Sequence, residues 1–139
     1  MKHALLVLMI IATSCAISSK QNKIVIENKS FAILANATKF GFGGKLGQSF
    51  RDTDEAYQEI ISSKKPKKIF IHLFEKGNTS GKLYALCGLY KLDRNIFNEL
   101  SNKMNKKETV YTQFGCDVDE MLVETIFLDM AENNLKYNP

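Results

Sequence analysis

Histidine is scarce in this chain. Only His3 and His72 occur among its 139 residues, and histidine is the side chain that most often acts as a general base or binds zinc near neutral pH. His72 has no partner at zinc-finger or HExxH spacing, and no Gly-x-Ser-x-Gly motif is present. The sequence therefore predicts neither a metal site nor a cofactor, and no catalytic residue can be assigned.

Complete phosphate-binding motifs are also lacking. The glycine-rich segment 41–47 has Leu46 where a P-loop requires serine or threonine, and Lys39 where its first glycine should be. Leu46 also replaces the last glycine of the dinucleotide fingerprint. We interpret the segment as a tight loop with two aromatic plugs, Phe40 and Phe42.

No apolar run at the N-terminus is long enough to span a bilayer. Residues 4–12 are continuously apolar, but a spanning helix needs about 20 such residues. The run follows a short basic start and is followed by the small residues Thr13 and Ser14, which is the order of regions in a secretory signal. Residues 1–14 are therefore predicted to be a signal peptide.

Residues 12–15, Ala-Thr-Ser-Cys, resemble the lipobox of bacterial lipoproteins, with Ala12 at the position where that family usually has leucine. The resemblance covers the first fifteen residues. It implies cleavage before Cys15 and lipid attachment to it, so that 15–22 forms a tether and acyl chains hold the protein at a membrane of the cell envelope, in the periplasm or at the cell surface. The alternative is ordinary cleavage after Ala16, where a small-x-small site also ends.

Two further cysteines remain if Cys15 carries lipid. In an oxidising compartment Cys87 and Cys116 are a candidate disulfide, and the alternative is two independent buried thiols. A thiol-hydrolase pair of Cys87 with His72 is not favoured, because an apolar stretch raises the pKa of a thiol.

Residues 23–139 are predicted to form one α-rich globular domain of about five short helices with a minor β element. Runs 23–27 and 31–34 suggest a hairpin near the N-terminus, and 109–114 is β-prone. Five helices are indicated by signals at their ends. Asp52 and Glu55 can form a capping box at the start of the first, Pro66 suits the first turn of the second with Gly77 as its C-cap, and Ser80 can open the third, from Gly81 to about Lys91. Asp93 can be the N-cap of the fourth, and the final helix is predicted from about Asp117 to Asn133. Gly88 inside the third of these helices costs about 1 kcal/mol relative to alanine, which predicts close packing against a neighbour.

The charge balance is mild, with a formal net charge of +4. The basic run 64–68 has no interleaved aromatic residues, and export removes intracellular nucleic acid, so no nucleic-acid partner is predicted. We interpret this run as a solvated helix junction that at most favours an anionic lipid surface.

These features favour a lipid-tethered binding or structural module that contacts the membrane through Cys15 and recognises another envelope protein. The alternative is an exported enzyme or inhibitor acting on an envelope polymer or a toxin. In that alternative the segment 41–47, with Tyr57 and Arg51, would form a ligand-facing rim.

Overall fold

The computed structural model describes residues 28–43 and 48–132, apart from the side chains of residues 48–51. Within these residues lie six helices and two strands. They are α1 (residues 28–35), α2 (Gln48–Ile61), α3 (Pro66–Lys76), α4 (Thr79–Leu92), α5 (Arg94–Ser101), β1 (Thr109–Phe114), β2 (Asp117–Leu122) and α6 (Val123–Ala131). The prediction of a mainly helical single domain with a minor β element is confirmed.

The α3–α4 pair is the main helix–helix contact of the domain. Pro66 opens α3, and Gly77 ends it by donating its N–H to the carbonyl of Leu73 at 2.8 Å. The side chain of Asn78 then accepts the Gly81 N–H at 2.9 Å and caps α4. The start predicted for this helix, with Ser80 before a first helical residue Gly81, is therefore two residues late. Because the connection is so short, α4 returns along α3.

Helix α4 forms the centre of the core. Tyr84, Leu86 and Leu89 have no exposed surface, and the helix is buried over most of its circumference. Asp93 follows α4 and accepts the Ile96 N–H at 3.2 Å, which begins α5 as predicted.

Strand β1 is hydrogen-bonded along both of its edges. It pairs with β2 in antiparallel register from Thr109 opposite Leu122 to Phe114 opposite Asp117. On its other side Phe40 donates to the Tyr111 carbonyl and accepts from the Gln113 N–H, both at 2.9 Å. The strand predicted at 109–114 is confirmed, and β2 lies at the outer edge of this small sheet.

The strand predicted at 31–34 is wrong, because these residues lie within α1. Phe31, Leu34 and Ala35 have the i, i+3, i+4 spacing of one helical face, and they pack on the core. The partner run 23–27 lies outside the described residues.

Two predicted helix starts are also wrong. Helix α2 begins at Gln48, so Asp52 and Glu55 lie inside the helix and do not form a capping box. The final helix begins at Val123 because residues 117–122 form β2. Gly115, with φ of +64°, reverses the chain and brings this segment back along β1.

Candidate interaction surface

The two cysteines of the predicted disulfide lie in different surroundings. Cys87 is 2% exposed within α4, and burial raises the pKa of its thiol. Cys116 is exposed in the turn between β1 and β2, and both are free thiols. The disulfide expected between them is therefore not formed in the structure. Cys15 lies outside the described residues.

His72 lies on the exposed side of α3. Its ring stacks on Phe31 with centroids 5.1 Å apart, and its Nδ1 is 3.5 Å from a Glu75 carboxylate oxygen. In contrast with this exposed ring, Cys87 is enclosed in the core. The described residues include no group of three His, Cys, Asp or Glu side chains that could hold a metal ion.

The glycine-rich segment is anchored to the core through its first residues. Phe40 and Phe42 are buried, as predicted for aromatic plugs. The Tyr84 hydroxyl donates to the Gly41 carbonyl at 2.8 Å and lies 3.2 Å from the Gly41 nitrogen. The Asp54 carboxylate accepts the Gly43 N–H at 3.0 Å.

Tyr57 does not form a ligand-facing rim. It is fully buried, with its ring 5.1 Å from that of Phe42, and burial raises the pKa of its hydroxyl. That part of the expectation is wrong, because Tyr57 is on the core side of α2. Residues 44–47 and the Arg51 side chain lie outside what the structure describes.

A small cleft of about 180 Å³ separates α1 from α2. Its lining consists of Lys29, Ser30, Ile33, Asp52, Glu55, Ala56 and Glu59. Ser30 donates a hydrogen bond to Glu59 across it. Pockets that enclose small molecules are usually larger, about 300–1,000 Å³, so we do not assign a ligand or a reaction to this cleft.

The outward face of the β1–β2 hairpin carries three large exposed side chains. Tyr111 is 59% exposed, Val118 56% and Leu122 44%. Tyr111 lies opposite Glu120 in the register, so Val118 and Leu122 occupy the two diagonal positions beside it. We call this surface the hairpin face; its members are Thr109, Tyr111, Gln113, Val118, Glu120 and Leu122. Clustered apolar side chains on a soluble surface are typical of interaction sites.

Among the residues that the structure describes, no strand pairs with the edge of β2 that points away from β1. The backbone groups of Tyr111 and Gln113 face Phe40, because they are hydrogen-bonded to it. Alternate residues of a strand direct their backbone groups to opposite sides, so those of Val110, Thr112 and Phe114 face β2. The β2 residues opposite them, Met121, Asp119 and Asp117, direct their backbone N–H and C=O groups towards β1. The β2 residues in between direct theirs away from β1. We call these the outer edge: Val118, Glu120 and Leu122. Of its N–H groups, that of Glu120 is accepted by the Asp119 carboxylate at 2.7 Å.

Charge is strongly segregated along the chain. Residues 108–132, which include the hairpin and α6, contain seven acidic residues and no lysine or arginine. Residues 62–107 contain eleven lysine or arginine residues and three acidic ones. Asp117, Asp119 and Glu120 are all exposed on β2. The hairpin face therefore carries Glu120 between Val118 and Leu122, and the carboxylates of Asp117 and Asp119 lie on the opposite face of the same strand.

The described residues include no helix long and apolar enough to cross a membrane. No protein-family model, curated protein or solved structure matches this chain. The assignment of a function therefore depends on the chain's own surfaces.

Proposed function

We propose that this chain is a non-catalytic binding module, anchored to a bacterial envelope membrane by lipid on Cys15, that binds a partner protein through the hairpin face. The observation that carries the proposal is the exposure of Tyr111, Val118 and Leu122 side by side. Full burial of such an aliphatic side chain contributes roughly 1.5–3 kcal/mol, and tyrosine is enriched among the residues that dominate binding energy. These three side chains could therefore form the centre of a specific interface.

The geometry favours binding over catalysis. The cleft between α1 and α2 has a Ser30–Glu59 hydrogen bond within it, and Tyr57 is enclosed in the core. The exported enzyme or inhibitor acting on a polymer or toxin thus gains no specific support from the described residues, whereas the hairpin face is already formed on a hydrogen-bonded sheet.

The anchor is tested by the intact mass of protein extracted from its native membrane. A mass equal to residues 15–139 plus acyl chains supports the lipid on Cys15. A lipid-free mass that begins after Ala16 contradicts it and makes the chain a soluble secreted protein. Such a result leaves the hairpin face to be tested separately.

The binding surface is tested by a photo-crosslinking amino acid placed at Tyr111 in intact envelopes. The matched control position is Glu99, whose side chain is 66% exposed on α5. We expect a discrete adduct from position 111 that position 99 does not form, and we expect Val118→Ser to reduce it. Equal labelling from the two positions, or none from either, would contradict the proposed function.

A further inference from the structure

We infer that the outer edge of β2 takes up a basic, extended segment of a partner protein as an added strand. This inference deepens the proposed function and rests on it, because the added strand would lie against the hairpin face.

The hydrogen bonding of the sheet supports strand addition at β2. The N–H groups of Val118 and Leu122 point away from β1, and no described residue is hydrogen-bonded to them from outside the hairpin. Strand addition to an exposed sheet edge supplies main-chain hydrogen bonds to such groups, while alternate side chains determine specificity. The residue after Leu122 is bonded to the chain just before β1, because Val123 donates its N–H to the Glu108 carbonyl at 2.9 Å.

The charge of β2 favours a basic segment. The exposed carboxylates of Asp117, Asp119 and Glu120 lie on this one strand, and the whole stretch 108–132 offers no lysine or arginine to neutralise them. Oppositely charged pairs across neighbouring strands stabilise a sheet, and like charges directly opposite each other destabilise it. An approaching segment with lysine or arginine at alternate positions fits this edge.

A second copy of the chain fits less well. Two β2 strands paired about a two-fold axis at the full length of the outer edge would place Glu120 opposite Glu120 of the other copy. Each strand would also bring Asp117 and Asp119 to the pair. Exposed charges on an edge strand oppose self-association in this way, so the acidic edge selects against its own copy and in favour of a basic strand.

The inference predicts where the side chains of the added strand lie. Alternate residues would face outward beside Val118, Glu120 and Leu122, in the order apolar, acidic, apolar. Apolar residues at alternate positions would lie beside Val118 and Leu122, and the lysine or arginine residues between them would lie on the opposite face, beside Asp117 and Asp119. The bond from the Glu120 N–H to Asp119 must open if the strand is to pair along the full edge.

The test uses the full-length protein and a fluorescein-labelled eight-residue peptide of alternating lysine and valine, blocked at both ends. One control peptide has glutamate in place of lysine. A second keeps the lysines but carries N-methyl groups on every amide, which removes the donors along both of its edges. We expect fluorescence anisotropy to show binding of the lysine peptide, at least tenfold weaker binding of the other two, and weakening with salt.

The matched variants are Leu122→Pro and Leu122→Ala. Leu122 has φ of −67° and ψ of 139°, which a proline ring accommodates, and its N–H points away from β1. Both variants lose the leucine side chain, but only Leu122→Pro loses the edge donor. We expect the lysine peptide to bind Leu122→Pro at least fivefold more weakly than Leu122→Ala, while the two variants have matching circular dichroism spectra.

A charge variant provides a second readout that does not depend on proline. Glu120→Lys changes an exposed side chain, so the fold should be retained. We expect the lysine peptide to lose at least fivefold in affinity and the glutamate peptide to gain. Unchanged preference between the two peptides overturns the argument from charge.

Amide hydrogen exchange at Val118 and Leu122 identifies the occupant of the edge. Exchange that slows on addition of the lysine peptide supports the inference. Slow exchange that depends on protein concentration would indicate a second copy, and slow exchange at every concentration would indicate a segment of the same chain; each overturns it. Equal peptide binding by Leu122→Pro and Leu122→Ala overturns strand addition but leaves the proposed function standing if position 111 forms its crosslink. A missing crosslink from position 111 overturns the proposed function itself.

Discussion

The ring of Phe70 in α3 occupies the space that a side chain at Gly88 in α4 would need. A Cβ built on Gly88 would lie 2.3 Å from Phe70 Cε2 and 2.5 Å from Cδ2. Phe70 is fully buried, so its ring cannot move aside without disturbing the core. We expect Gly88→Ala to lower the free energy of unfolding by about 1–2 kcal/mol, since overpacking exceeds the helix-propensity gain. Urea denaturation measures this change.

A double-mutant cycle provides the control for this contact. Phe70→Leu removes ring atoms next to Gly88 and costs stability by itself, because it leaves space in the core. Added to Gly88→Ala, it should cost less than the sum of the two single changes, because the new methyl group uses that space. Additive costs, or a stabilising Gly88→Ala, would contradict the close packing.

The hydroxyl of Tyr84 is predicted to stabilise the fold through Gly41. It donates to the Gly41 carbonyl in a buried site, so Tyr84→Phe leaves that carbonyl without its partner. An unsatisfied buried polar group costs about 1–3 kcal/mol. We expect a loss of stability in this range, measured as a lower urea midpoint with an unchanged denaturant slope.

Tyr57→Phe is the matched control for Tyr84→Phe. The Tyr57 hydroxyl is buried and has no hydrogen-bond partner among the described residues. Its removal should therefore leave stability unchanged or raise it by up to about 1 kcal/mol, because a desolvated polar group is lost with no bond broken. Equal losses in the two variants would mean that the Tyr84–Gly41 bond contributes nothing specific.

The parts of the fold that sequence predicts well depend on local chemistry. Pro66, Gly77 and Asp93 mark helix ends through their own backbone or side-chain properties, and the structure places each at such an end. Gly88 carried a packing signal because a glycine inside a helix is costly unless a neighbour needs the space.

The segments predicted wrongly depend on distant partners. Acidic residues at 117–120 suit the first turn of a helix, but β1 offers this segment a complete row of hydrogen bonds and the turn at Gly115 delivers it there. Residues 31–34 are β-prone by composition, yet they fill a helical face on the core. In both cases tertiary contacts outweigh local preference.

The hairpin face was missed for the same reason. Its members come from two strands, so Tyr111 and Val118 become neighbours only through the register of β1 with β2. A glycine turn between two runs that contain β-branched residues, 109–114 and 118–123, was the available signal for a hairpin. Whether these side chains are exposed depends on which face of the hairpin packs on the core. The periodicity of a six-residue strand does not determine which face this is.

Cys87 and Cys116 are predicted to differ sharply in reactivity. The thiolate is the form that alkylates, and burial raises the pKa of Cys87, whereas Cys116 is exposed in the hairpin turn. We expect iodoacetamide to modify Cys116 in the folded protein and Cys87 only after unfolding, with peptide mass spectrometry as the measurement. The labelling should not depend on prior reduction. Protection of both thiols that is lifted only by reductant would instead show a disulfide.

Asp93 is predicted to make part of the stability pH-dependent. The Ile96 N–H and the Lys67 ammonium, 3.2 Å away, hold the pKa of its carboxyl below the usual value of 3.8. Because the folded-state pKa is lowered, the contribution of Asp93 to stability is complete above pH 3.8 and is lost as pH falls through the folded-state pKa.

Asp93→Asn keeps a capping oxygen but does not ionise. The difference in free energy of unfolding between the native protein and Asp93→Asn should therefore shrink as the pH is lowered from 5 to 2. A difference that stays constant over this range would show that the ionised carboxylate contributes no more than the neutral cap. The effect should be small and salt-sensitive, because Lys67 is half exposed.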